Sequence, residues 1–229
     1  MNAIGDATFA LALVLLVSGT ASALYGSAIY LLGRGEGALG RSPGTFSNAM
    51  TFGGVLLLLC SLFLAAVVGP GLGRRWRLAA GAAALASFAA LFFSFSRSSW
   101  SGMTVSAIVI LAFLRRRWLV PFAVALVVFV VLLPAPYRAR VESIWNPKFR
   151  TNVQRLELLR GGWSIFKDNW VIGVGTGDLG DIYARYKPPG AVHIHGHMHN
   201  ILLQIAVQMG VVGLAAFLWL LVSWFRLMG

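Results

Sequence analysis

Long apolar runs, separated by short turns rich in arginine, organise this chain. Six of them read as membrane spans: residues 7–32, 47–69, 78–95, 98–114, 119–134 and 200–225. A helix rises about 1.5 Å per residue and the hydrocarbon core of a bilayer is about 30 Å thick, so roughly 17 to 25 apolar residues cross it. The fourth and fifth runs lie near the lower limit and span only with little tilt. Between the fifth and the sixth comes the one long polar segment, 135–199. The pattern predicts an all-α polytopic membrane protein of about six transmembrane helices. Its parts are helices one to five over 1–134, an extramembrane loop domain over 135–199, and the sixth helix within 200–229.

Inside the loop, "TNVQRLELLRGGWSIFKDN" has the period of an amphipathic helix. Thr151 and Gln154 match a capping box, which places the helix start at about Asn152. Val153, Leu156, Leu159, Trp163 and Phe166 recur at helical spacing and predict one apolar stripe, laid on the membrane face or capping the spans. Arg155 then falls in the first turn, where free backbone N–H groups and a guanidinium together suit a phosphate. Arg160, a turn and a half further on, faces elsewhere.

Composition agrees with the pattern. Hydrophobic residues make up 58% of the chain and charged residues 11%, against about a quarter charged in soluble domains. A soluble globular protein is thereby excluded. The net charge of +12 does not point to nucleic acid, because the arginines border apolar spans and suit anionic lipid or a lipid-linked anion. "GRRWR" (73–77), "RRRW" (115–118) and Arg226 fall on one side, which the positive-inside rule makes the cytoplasm. Arg34 and Arg41 dissent. Long loops are largely exempt from that rule, so 135–199 is placed outside the cytoplasm. The start, "MNAIGD", lacks a basic stretch and leads into a run of span length, which predicts a retained span rather than a cleaved signal. The single cysteine, Cys60, lies within an apolar run and permits no intrachain disulfide.

Candidate chemistry gathers in "AVHIHGHMHNILLQIAVQMGVVG". His193, His195, His197 and His199 alternate there, and on a strand three of them would share a face able to hold zinc. No carboxylate or cysteine is close in sequence, and for His193 and His195 a polar surface segment is the simpler reading. His199 differs by its place at the start of the last span, with Asn200 as N-cap. The positive end of a helix dipole disfavours imidazolium and leaves a neutral base. Asn200, Gln204 and Gln208 share a helix face, and polar residues in spans usually face a cavity or a bundle interior. Gly210 and Gly213 permit close helix approach. A helix-packing stripe with an interfacial histidine explains these residues equally well. Arg97, in "FSFSRSSWSGM" beside Trp100, either snorkels or binds an anion. "GTGDLG" (175–180) fits a dinucleotide string but has no room for a βαβ unit, and reads as a tight turn.

These residues resemble a family. "HNILLQIAVQMGVVG" is similar to the His-Asn, nine residues, Gly-x-x-Gly signature of the O-antigen ligase and O-antigen polymerase family. "RLELLRGGWSIFKDNWVIGVGTGDL" resembles the upstream part of that family's large periplasmic loop. "SRSSW" resembles its Ser-Arg turn, and "GTFSNAMTFGG" its Gly-Thr-Phe-x-Asn segment. The likeness runs over roughly residues 40–220, with the motifs in order. It implies a GT-C-like glycosyltransferase that needs no metal or other cofactor and sits in the bacterial cytoplasmic membrane. Such an enzyme takes a glycan from an undecaprenyl-pyrophosphate carrier on the periplasmic face to a hydroxyl of lipid A core, another glycan or a protein. The family's functional histidine falls on His199 and its two arginines on Arg97 and Arg155, as pyrophosphate binders. Asn200, Arg160, His197 and Gln204 are the substrate-binding candidates around them. Bidentate guanidinium suits pyrophosphate, and a neutral histidine suits an acceptor hydroxyl.

Two departures stand out. Many members have Asn-Pro before the Gly-Val-Gly turn, where this chain has Asn169–Trp170. Members also carry about twice as many spans, so the chain reads as a fragment or a reduced homologue lacking N-terminal spans, with or without the last ones. A transporter or flippase subunit for lipid-linked glycans, with Arg97, Arg155 and the glutamine stripe along a path, is the rival reading. The nearly unbroken apolar spans argue against it.

Overall fold

The computed structural model describes residues 3–35, 40–191 and 196–228. Among them are nine α-helices and one 3-10 turn, with no β-strand. Five helices are long and apolar enough to cross a membrane, and a bent pair brings the number to six if it counts as one span. The all-α polytopic expectation holds. The chain divides into two compact units, Met1–Glu142 and Ser143–Gly229.

The first unit contains α1 (Ala3–Leu31), α2 (Ala49–Val68), α3 (Arg74–Phe93), α4 (Arg97–Leu114), a 3-10 turn (Arg116–Trp118), α5 (Leu119–Val131) and α6 (Ala135–Glu142). Short connections make α2, α3 and α4 run antiparallel. α3 packs against both α1 and α2, and α2 also packs against α4. The alanines of α3 allow this: Ala80, Ala83 and Ala90 are buried where larger side chains would hold the helices apart. Phe52, Leu56 and Cys60 of α2 fill the core with Leu91, Met103 and Ala107. The outward faces carry Leu58, Leu85, Val105 and Phe113, all exposed, as lipid-facing positions require.

The expected fifth span, 119–134, is not one straight helix. α5 has 13 residues, about 20 Å at 1.5 Å per residue, and the chain then bends by 115° into α6. Pro134 marks the bend: it has no N–H to continue α5, while its carbonyl accepts from Tyr137 and Arg138 at 3.0 Å each. Tyr137 anchors α6, stacking on Phe92 and Phe95 with ring centroids 4.1 and 4.4 Å apart. Its hydroxyl meets that of Tyr30 at 2.8 Å.

The second unit holds α7 (Arg150–Asp168), α8 (Leu179–Tyr186) and α9 (Ile201–Met228). α7 begins two residues earlier than the capping pattern predicts, with Phe149 at the N-cap and no side-chain cap bond. Asn152 is occupied otherwise: its amide donates to the carbonyls of Ser143 at 2.9 Å and Asn146 at 2.8 Å, tying down the preceding turn. The buried face of α7 is Leu158, Gly161, Gly162 and Ile165, whereas Val153, Leu156, Leu159 and Trp163 of the expected stripe are exposed. The glycine pair explains the difference. A Cβ on Gly161 would enter the Tyr183 ring of α8, and one on Gly162 would lie 2.8 Å from Leu203 of α9. Both neighbours can therefore sit against the α7 backbone.

Candidate functional site

The turn before α9 is built backward from the helix. Asn200 caps α9 as the sequence predicts: its Oδ1 accepts the Leu203 N–H at 3.1 Å. Gln204, one turn in, sends its Oε1 back to the Met198 N–H at 2.7 Å. Met198 is 2% exposed and belongs to the apolar cluster of Leu158, Ile165 and Leu203. Pinned on both sides, His199 adopts φ 51, a left-handed conformation that costs a non-glycine residue on the order of 1 kcal/mol or more. His199 and His197 are both exposed, and their rings meet edge to face with centroids 4.1 Å apart. Asn200 and Gln204 thus spend their side-chain oxygens on shaping the histidine turn. His193 and His195 lie outside the described residues.

Further along, α9 is broken. Gly210 has φ 64 and ψ −163 inside the helix, so the expected straight span 200–225 is two helical stretches joined at a kink. The break is occupied by the stretch after α7. Val174 and Gly175 donate to the carbonyls of Val207 and Gln208, each at 2.9 Å. Val211 donates to Trp170 O at 2.7 Å and Val212 to Val171 O at 3.4 Å. Backbone approaches backbone here, and glycine permits it. A Cβ on Gly210 would strike the Val171 carbonyl, and one on Gly173 (φ 72) would strike Gln208. The expected role of Gly210 in helix packing is therefore corrected: it admits the backbone of the turn that follows α7. The turn forms without the family's proline, closed by Gly173 N–H on Asn169 O at 2.9 Å. "GTGDLG" is a turn and a helix start, with Asp178 Oδ1 capping Gly180 N–H at 2.8 Å.

Arg155 and Arg160 are exposed on α7, which packs against both α8 and α9. With the helix starting at Arg150, Arg155 lies in the second turn. Its guanidinium remains a candidate anion ligand, but the free N–H groups of a first turn do not accompany it.

Arg97 belongs to the first unit. It opens α4, is 8% exposed, and follows a turn with Phe95 at φ 51. That turn is tightly held. Trp100 Nε1 donates to Leu91 O at 3.1 Å and Ser42 N–H to Phe93 O at 3.2 Å. Gly53 of α2 lies flush against it, since a Cβ there would fall 2.8 Å from Ser94 Oγ and 2.9 Å from Ser99 Oγ. Two further arginines reach the same turn, and the sequence had not paired them with Arg97. Arg41 Nε donates to Ser94 O at 3.0 Å, and Arg140 Nε to Phe95 O at 3.1 Å. Arg140 lies in α6, the second arm of the bent pair. Arg41's dissent from the positive-inside rule was the one signal that could have singled it out.

Comparison with curated proteins gives no match. The family model described as O-antigen ligase matches residues 82–218, more than half of the chain. The match takes in Arg97, Arg155, His199 and the segment seated in the α9 break. The chain belongs to the O-antigen ligase family, multi-pass membrane enzymes of cell-envelope polysaccharide synthesis that act as glycosyltransferase-like ligases or polymerases on lipid-linked glycans and their acceptors.

Proposed function

We propose that the chain transfers a glycan from an undecaprenyl-pyrophosphate carrier to an acceptor hydroxyl, on the periplasmic face of the cytoplasmic membrane and without a metal. The acceptor hydroxyl oxygen attacks the anomeric carbon of the glycan. His199 takes the hydroxyl proton, and the bond from that carbon to the diphosphate oxygen breaks with its electron pair on the leaving group. Arg97 and Arg155 bind the diphosphate and stabilise the charge that grows on it, the larger electrostatic task in such a transfer. Asn200 and Gln204 fix the histidine turn, with His197 packed against His199. Arg160, exposed on α7, is retained as a substrate-binding residue.

The observation that carries this reading is the left-handed, exposed His199, its turn held by Asn200 and Gln204 in the family's His-Asn signature. Backbone strain maintained by dedicated side chains is a common mark of functional positions. The test is asymmetric. His199→Ala should lower transfer on the order of a hundred- to ten-thousand-fold, as loss of a general base does, with the protein level unchanged. His193→Ala and His195→Ala should be tolerated and chelators should have no effect. Near-normal transfer by His199→Ala removes the assignment. Loss by all four alanine variants together with chelator sensitivity replaces the base with a metal site.

A further inference from the structure

The arginine loops between α2 and α3 and between α4 and α5 border a cleft that transfer does not use. Its volume is about 620 Å³, within the roughly 300–1,000 Å³ of cavities that hold small ligands. The end of α4 explains it. Arg115, with φ −152 and ψ 59, stops that helix, and the chain passes through Arg116–Trp118 before α5 begins. α5 then buries no residue, and a wedge stays open between it and the ends of α2 and α4. Three arginines line the wedge at the helix ends: Arg115 and Arg117 at the 3-10 turn, and Arg77 from the first turn of α3. Arg77 also donates through Nη2 to Gly69 O at 3.5 Å. Leu111, one turn inside α4, and Phe122 and Ala125, one and two turns inside α5, form the apolar floor. No aspartate or glutamate occurs from Gly37 to Val141, and none lines the cleft among the described residues. Exposed Trp118 also borders it, and an indole suits the headgroup level of a bilayer. Apolar walls do not hold water, and the charge beside them attracts an anion. A molecule that meets both demands has a charged head and a hydrocarbon tail.

We propose that the cleft binds an anionic glycerophospholipid of the surrounding bilayer, with its phosphate among Arg77, Arg115 and Arg117 and an acyl chain along Leu111, Phe122 and Ala125. A free phosphate would use the arginines alone, and a second protein helix the floor alone. The lipid is a structural ligand that closes the wedge against α5 and takes no part in transfer. Its binding is independent of the roles given to His199, Arg97 and Arg155.

Binding is measured on the full chain in detergent micelles. The probes are phosphatidylglycerol and phosphatidylcholine with brominated acyl chains, which quench nearby tryptophan, and the signal missing in Trp118→Phe reports on the cleft. Phosphatidylglycerol should reach half-saturation at least about fivefold below phosphatidylcholine. Arg115→Gln and Arg117→Gln should each raise that point about fivefold, the factor expected of one basic residue at an anionic surface. Arg116→Gln, on the same turn but not lining the cleft, should change it by less than about twofold on the same scale. Ala125→Phe keeps every arginine and fills the floor, so it tests the acyl contact even if a glutamine variant misfolds. It should weaken phosphatidylglycerol at least as much as one arginine substitution does. Equal half-saturation by the two lipids, equal loss in Arg116→Gln, or unchanged binding by Ala125→Phe would reduce the cleft to general attraction and overturns the site. Displacement of the brominated lipid by glycerol 3-phosphate replaces the lipid with a soluble anion. Absence of Trp118-dependent quenching by either lipid gives the wedge to protein, and removes the lipid as its occupant.

Discussion

The two ends of the first unit carry the same residue type in opposite states. At one end, where α3 turns into α4, Arg41, Arg97 and Arg140 are drawn into a turn and two of them bond its carbonyls. At the other, where α2 meets α3 and α4 meets α5, Arg77, Arg115 and Arg117 border an open cleft of about 620 Å³ floored by Leu111 and Phe122. As sequence, both groups are arginines beside apolar runs. Charge alone does not separate the two groups. The structure invested around them does: a left-handed phenylalanine, an indole bond and a glycine pressed against the turn surround Arg97.

The comparison breaks first if the two ends face the same side. In a Cys60→Ala background, a cysteine at Ser47 should react fully with a membrane-impermeant thiol reagent in intact cells, and one at Arg116 should not react. Labelling in the opposite sense would put Arg97 in the cytoplasm. Next comes Arg97→Lys, which should lower transfer about tenfold or more because a point charge replaces a planar fork; a loss below twofold would leave Arg97 no different from the cleft arginines. Gly53→Ala should destabilise the protein by about 2 kcal/mol, as overpacking does, since the new methyl falls 2.8 Å from Ser94 Oγ. Gly81→Ala, whose nearest neighbour lies 3.8 Å away, should be neutral in the same thermal denaturation, and equal midpoints would contradict the tight seating of the turn. The smallest effect belongs to the cleft. Arg115→Gln and Arg117→Gln should each change stability by no more than about 0.5 kcal/mol, the range of ordinary surface substitutions, and leave transfer within assay scatter.

What the sequence revealed was mostly local. Apolar runs gave the spans, and Asn200 announced the start of α9 because capping involves only neighbouring residues. Local reasoning failed where partners are far apart. Arg41 lies 53 residues from the carbonyl it binds and Arg140 45 residues from its own, and no periodicity records such pairs. On α7 the apolar stripe was conspicuous, while two glycines, silent in a hydrophobicity pattern, mark the side that packs on α8 and α9. The bend after α5 was silent too, because Leu132 and Leu133 carry the apolar run on from the helix end at Val131 to Pro134.

The break at Gly210 also bears on how the protein is made. Hydrocarbon offers no partner to a bare backbone group, and each one left unpaired there costs several kcal/mol. The four bonds that repair the break all come from Trp170–Gly175, which is synthesised earlier and must wait for the last helix to emerge. Insertion of that helix is therefore incomplete until the preceding loop has settled beside it. A nascent chain whose loop is delayed should be held back at this step, exposed to membrane quality control with its final helix still open.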